Sequence, residues 1–235
     1  MPDSTPPTAI SNLAGARASG LRLSRADYLV RFREEYPRCS QVDKLEAGQR
    51  FREPGYAPWE AAQRGNWGEA LRLAEEERPA LARQYEEAAA RGCRLRRVRI
   101  VELPPSDYVL WEMSILRLRA ELGEEIGVIT SAGISSGITA EDGWPGPNRS
   151  SMQHPPPAHM PELVALGTTA LYELRYTHEG DLDGAVRHTD RELIEACRRD
   201  FEQLLATSEE LLTFHDRVTA PLLTARAERR PADER

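Results

Sequence analysis

The clearest pattern of apolar and polar residues lies between residues 94 and 130. Residues 94–103 (RLRRVRIVEL) place apolar side chains on both faces, as a strand covered on both sides does. Residues 124–130 (EEIGVIT) predict a second strand. Between them, Ser106 is a helix cap, and large apolar residues then recur every three or four positions: Tyr108, Trp111, Ile115, Leu118 and Leu122. Strand, helix and strand in this order indicate a βαβ unit with parallel strands.

The apolar pattern after residue 160 predicts the rest of the sheet. Residues 162–167 and 170–177 are short apolar runs separated by a tight turn, which indicates a β-hairpin. A strand at 182–189 and a helix capped by Asp190 follow. We therefore expect an α/β fold, a mixed sheet with a βαβ unit and a hairpin, with N-terminal helices packed against it.

Composition divides the chain into four segments. Both ends are polar, and the residues before 93 carry helix caps and helical periodicity, with an irregular connection at 38–58. The stretch 131–161 is rich in Gly, Ser and Pro and predicts a long loop. The segments are a disordered arm (1–20), a helical N-terminal region (21–92), an α/β domain (93–216) and a flexible tail (217–235).

Charge and motifs limit the function classes. The 235-residue chain has a formal net charge of −7, so no overall basic field draws it to nucleic acid. It has neither a secretory signal nor a long apolar run, and we expect a cytoplasmic protein without membrane contact. No common nucleotide, hydride or hydrolase motif is present, which predicts no cofactor. The cysteines and histidines lack metal-ligand spacing, which predicts no metal site.

The first candidate site lies where strand 94–103 ends, because open α/β sheets bind ligands beyond their strand ends. The helix start at Ser106 offers free backbone N–H groups, and Tyr108 and Trp111 would contact a ligand there. Asp107 and Glu112 are the candidate catalytic acids. The alternative is a capped amphipathic helix with Trp111 in the core and Glu112 in solvent.

The second candidate is a run of arginines in and before strand 94–103, of which Arg97 and Arg99 share one face and would bind a phosphate-bearing ligand. The alternative is that these side chains form ion pairs with the acidic helical stretches 69–77 and 86–87.

Several stretches resemble the DUF6879 family, a group of uncharacterised actinobacterial proteins. The stretches are FREPG (51–55), WEAAQRGNWGEAL (59–71), RLRRVRIVELPPSDYVLWE (94–112), LVALGTTALYELRY (163–176) and LDGAVRHTDRELIEACRRDFEQLL (182–205). The resemblance implies no settled activity. Members often look like neighbours of helix-turn-helix regulators, which implies a regulatory role or a protein partner.

The order of elements is also similar to one half of a phospholipase D-like domain. Active members of that group carry an HxK motif followed by Asp. Here His159 is followed by Pro161 in place of the lysine and by Leu166 in place of the aspartate. The resemblance therefore implies the fold without phosphodiester hydrolysis.

Two functions remain open from the sequence. The first is a regulatory or accessory module, associated with a helix-turn-helix regulator, that binds a small molecule or a protein. The second is a transferase that uses a nucleotide-linked or aminoacyl-tRNA donor, with Glu112 or a histidine as its base.

Overall fold

The computed structural model describes residues 8–132 and 160–228. The helices are α1 (Thr8–Ser11), α2 (Leu13–Ala16), α3 (Arg25–Glu35), α4 (Ala57–Gln63), α5 (Trp67–Glu76), α6 (Arg78–Ala90), α7 (Asp107–Glu121), α8 (Arg191–Thr207), α9 (Leu211–Phe214) and α10 (Ala220–Glu228). The strands are β1 (Leu21–Ser24), β2 (Gln41–Glu46), β3 (Arg94–Leu103), β4 (Glu125–Ala132), β5 (Glu162–Leu166), β6 (Ala170–Tyr176), β7 (Leu182–His188) and β8 (Glu209–Glu210).

These strands form one mixed sheet in the order β1-β7-β6-β5-β2-β3-β4-β8. Strands β2, β3 and β4 are parallel, and the other neighbours pair antiparallel. The predicted βαβ unit is confirmed as β3, α7 and β4, and the predicted hairpin as β5 and β6. The fold class expected from the sequence is therefore confirmed.

The two faces of the sheet are covered by different helices, because successive side chains on a strand point to opposite faces. Leu45, Val98 and Ile100 lie on the face that α1, α2 and α8 cover. Val101 lies on the other face, where α4, α5 and α7 pack. Helices α3 and α6 extend the cover of that second face, over β5 and β6.

The expected irregular connection at 38–58 is wrong for six of its residues. Residues 41–46 form β2, which lies between β5 and β3 in the middle of the sheet. Asp43, Lys44 and Glu46 are charged, and they hide the apolar pattern that marks a buried strand. Residues 21–92 therefore supply two strands of the sheet and are not helical throughout.

Parts of both ends are ordered, which corrects the expected disordered arm and flexible tail. Ile10 and Leu13 are buried against the α8 face, and Asp200 on α8 accepts hydrogen bonds from the backbone N–H groups of Ala9 (2.8 Å) and Ile10 (2.9 Å). Leu223 on α10 is buried against the α7 side. Isolated apolar residues in polar stretches give no period, so composition misses such short docked helices.

The predicted long loop 131–161 falls mostly outside the described residues, since β4 continues to Ala132 and residues 133–159 are not described. In the described ranges, no helix combines the length and the apolar character needed to cross a membrane.

Candidate functional site

The start of α7 is built as the sequence predicts. Ser106 caps the helix by accepting a hydrogen bond from the Val109 N–H (3.1 Å), and its hydroxyl donates to the Gln49 carbonyl (2.6 Å). Asp107 is exposed and pairs with Arg226 at 2.7 Å. The Tyr108 hydroxyl donates to Glu53 at 3.2 Å. Ser106, Asp107 and Tyr108 together line an open cleft of about 870 Å³.

The other two candidates on α7 point away from this cleft. The Trp111 side chain is 3% exposed and packs with Trp59 and Tyr108 in the core. Glu112 faces the sheet, where its carboxylate lies 2.8 Å from the Arg99 guanidinium. The helix start therefore brings three of the five α7 candidates together. The alternative of a capped helix with Trp111 in the core is confirmed, but its placement of Glu112 in solvent is wrong.

Arg97 and Arg99 lie inside the protein. Strand alternation turns both toward α7, and both side chains are almost fully buried. Arg97 pairs with Glu46 and with Glu124, the latter at 2.8 Å. Each nitrogen of Arg99 is engaged, either with Glu112 or with the backbone carbonyls of residues 46, 48 and 100. Both arginines therefore use their donors on groups of the protein itself.

The partners expected for the arginine run are different in the structure. The acids on α5 bind Arg72, Arg78 and Arg117. Arg96, which faces α8, pairs with Asp43 (2.8 Å) and Glu202 (2.7 Å). The prediction that arginines of this run are paired is confirmed for Arg96, Arg97 and Arg99, but the acidic stretches named as partners are wrong. Acids distant in sequence reach β3 only through the fold.

Lys44 lies beside the layer of buried charges formed by Arg97, Arg99 and their acidic partners, with its own side chain partly buried, and the sequence did not single it out. It lies beside Arg97 in the β2–β3 register and on the same face. Among the described residues, no carboxylate lies within 4.0 Å of its ammonium and the ammonium donates no hydrogen bond, while the neighbouring acids Glu46 and Glu124 pair with Arg97. The sequence does contain one sign that this residue is unusual: Lys44 is the single lysine among 31 lysine and arginine residues.

Lys44 lines a cavity of about 300 Å³ on this face of the sheet. Aromatic side chains form part of its wall, namely Phe32 on α3, Tyr36 just after α3, and Tyr85 on α6. Arg91 and Arg119 add two more cationic groups, and Arg91 lies over the Tyr36 ring at 5.4 Å from its centre. The cavity thus combines aromatic surface with an excess of positive groups over the acids Glu87 and Glu124.

Burial and neighbouring charges shift the pKa values of Lys44 and of two acids on this face of the sheet, Glu124 and Glu162. Burial, together with the charges of Arg97 and Arg119, lowers the pKa of Lys44 to about 8. Burial favours a raised pKa for Glu124, but Arg97, Lys44 and Arg119 outweigh it and lower the value to about 2. Burial and the charge of Glu46 raise the pKa of Glu162 to about 7. Strongly shifted groups beside a cavity are typical of functional sites.

The described residues hold no group of three or more His, Cys, Asp or Glu side chains that could bind a metal ion. Of the histidines, His154 and His159 fall outside the described residues.

A family model for a domain of unknown function, DUF6879, matches residues 32–145 and 147–216. The chain belongs to the DUF6879 family. The matched residues contain β2 to β8 and every residue named above for the Lys44 cavity. No curated protein and no solved structure matches the chain. DUF6879 membership therefore identifies the family but no activity, and the resemblance to half a phospholipase D-like domain stays a prediction.

Proposed function

We propose that this DUF6879 protein is a small-molecule-binding module whose ligand carries an acidic group and lies in the Lys44 cavity. A regulatory or accessory role, of the kind expected beside a helix-turn-helix regulator, is part of the proposal. The observation that carries it is the partly buried Lys44 side chain on the wall of a cavity, whose ammonium forms no ion pair with residues 8–132 or 160–228.

Charge balance supports an anionic ligand. A cation that is partly removed from water is stabilised by a counter-ion, and Glu46 and Glu124, two acids near Lys44, already pair with Arg97. An acidic ligand would supply the missing negative charge. Arg91 and Arg119 on the cavity wall would strengthen its binding.

Size and surface support a small ligand with an apolar or aromatic part. A volume of about 300 Å³ is at the lower end of ligand pockets, which suits a molecule of amino-acid or single-ring size. The rings of Phe32, Tyr36 and Tyr85 offer it flat apolar contact.

Binding is favoured over catalysis because the candidate catalytic acids are paired. Glu112 is held by Arg99 and Asp107 by Arg226. Neither contributes to the wall of the Lys44 cavity. No contact among the described residues specifically favours the transferase.

The test is a thermal-shift and calorimetry screen of the full chain with matched pairs of ligands, such as benzoate and benzamide. We expect the acid to raise the Tm by roughly 5–10 °C at a hundredfold excess over its Kd, and the neutral amide to have no effect. Lys44→Met should remove the response, since the uncharged side chain fills the same space without attracting an anion.

Arg50→Met is the matched control. Arg50 lines the open cleft near Ser106 and is not part of the Lys44 cavity. Its variant should respond to the acid as the unmodified protein does. A shift that survives in Lys44→Met and disappears in Arg50→Met would contradict the proposed site and place the ligand in the cleft. Equal shifts with acid and amide would contradict the proposed ligand class.

A further inference from the structure

Lys44 differs in chemistry from every other basic side chain of the protein. The other thirty basic residues are arginines, whose guanidinium group stays protonated at any ordinary pH. Unlike a guanidinium, an amine can lose its proton near neutral pH and act as a nucleophile. The one lysine thus lies in the central part of the sheet, on the wall of a cavity, and free of ion pairs among the described residues.

The surroundings of Lys44 suit a reactive amine. Arg97 on the neighbouring strand and Arg119 on the cavity wall place positive charge near it, which disfavours its protonated form. Its pKa of about 8 leaves roughly a tenth of the amine neutral at pH 7, against less than a thousandth for an exposed lysine.

We propose that Lys44 captures its ligand through a reversible imine, and that the ligand is an aldehyde or ketone that also carries an acidic group. The inference rests on the proposed function, since the acidic group is what brings the ligand into the cavity. Arg91 and Arg119 would hold that group while the carbonyl carbon lies against the lysine Nζ.

The reaction balances without an oxidant or a second substrate. The neutral Nζ adds to the carbonyl carbon, and the carbonyl oxygen gains a proton to give a carbinolamine. Loss of that hydroxyl as water, with transfer of the remaining N–H proton to solvent, leaves the imine. Hydrolysis returns the free lysine and the unchanged ligand, so capture is reversible and suits a binding module.

The experiment uses the folded full chain with 4-carboxybenzaldehyde and cyanoborohydride, which reduces an imine to a stable secondary amine. Peptide mass mapping then locates the adduct. These 235 residues contain a single lysine, and the α-amine at the start of the expressed protein serves as an internal reference. We expect modification of Lys44 to saturate with aldehyde concentration and to exceed that of the N-terminus by about tenfold or more.

Two comparisons separate this inference from the proposed function. The unreactive analogue 4-(hydroxymethyl)benzoate should raise the Tm and protect Lys44 from modification. If the analogue binds but Lys44 gives no adduct, the imine is wrong while the binding proposal stands. If the analogue does not bind and Lys44 reacts only in urea, both are wrong. Adduct mapping and analogue binding are both measured on the unmodified protein, so neither depends on the folding of a variant. The Lys44→Arg variant adds a check, because it should bind the analogue without forming an adduct.

Discussion

Arg99 on β3 and Glu112 on α7 lie 2.8 Å apart and join the strand and the helix of the βαβ unit inside the protein. The Arg99 side chain is 0% exposed and the Glu112 side chain 12%. A charge removed from water to this extent depends on its partner, because burial without a counter-ion is expensive.

Glu112→Gln should therefore lower the free energy of unfolding by about 3–5 kcal/mol, since it leaves the Arg99 charge buried without its acid. Urea unfolding measures the change. Glu102→Gln is the matched control, because Glu102 lies on β3, the strand that carries Arg99, but is exposed. This variant should change the free energy of unfolding by less than about 0.5 kcal/mol. A similar small effect for Glu112→Gln would contradict a structural ion pair.

Glu162 should make the folded protein less stable as the pH rises from about 4.5 to 7. Its pKa is raised to about 7, mainly by burial and then by Glu46, so the folded state keeps a proton that the unfolded state has released. The free energy of unfolding should fall by about 3 kcal/mol at most across this window.

Glu162→Gln removes that dependence and can still accept from the Ala47 N–H (2.7 Å) and the Gly48 N–H (2.5 Å). Urea unfolding at about pH 5 and pH 8 should show that the variant gains stability relative to the unmodified protein at the higher pH. Parallel pH profiles for the two proteins would exclude Glu162 as the source.

Asp200 should hold the N-terminal helices in place. Replacing it by Ala removes the acceptor for two backbone N–H groups of α1, which we expect to cost about 1–3 kcal/mol and to release residues 8–20. Limited proteolysis should then cut after Arg17 much faster than in the unmodified protein. Glu195→Ala, on the same helix, should leave the cleavage rate unchanged, because the half-exposed Glu195 side chain pairs with Arg191 of that helix.

Cys39 should react slowly in the folded protein although it is partly exposed. Burial and the neighbouring Cys93, whose sulfur lies 4.0 Å away, raise the pKa of Cys39 to about 11. At about pH 7.5 its alkylation by iodoacetamide should be about a hundredfold slower than in urea, because the thiolate is the reactive form. Peptide mapping measures the rate, and equal rates in the two conditions would contradict the raised pKa.

Elements with long apolar repeats could be predicted from the sequence, and those defined by distant partners could not. Helix α7 repeats large apolar residues over four turns, and β3 is apolar on both faces, so both were placed correctly. Strand β2 was missed because its buried charges are compensated by β3 and by α8, which lie far away in sequence. Ile10 and Leu13 were missed because their apolar surroundings come from α8.

The candidate site, too, could be predicted from the sequence only where it depends on local patterns. Ser106, Asp107 and Tyr108 could be placed beside a cleft because a strand end followed by a helix cap is a local pattern. The inward direction of Glu112, and its pairing with Arg99, depend on how α7 rolls onto the sheet. Lys44 could have been noticed as the single lysine, but only the fold shows that it faces a cavity.

The two outermost strands of the sheet affect whether its edges can pair with other chains. Strand β1, of four residues, pairs with β7, and β8, of two residues, pairs with Gly127 and Val128 of β4, so that both outermost strands of the described sheet are short. A fragment cut at the limits of the family match would lack β1 and leave the backbone donors and acceptors of β7 open. Such open strands recruit other chains, so this fragment should aggregate where the full chain does not.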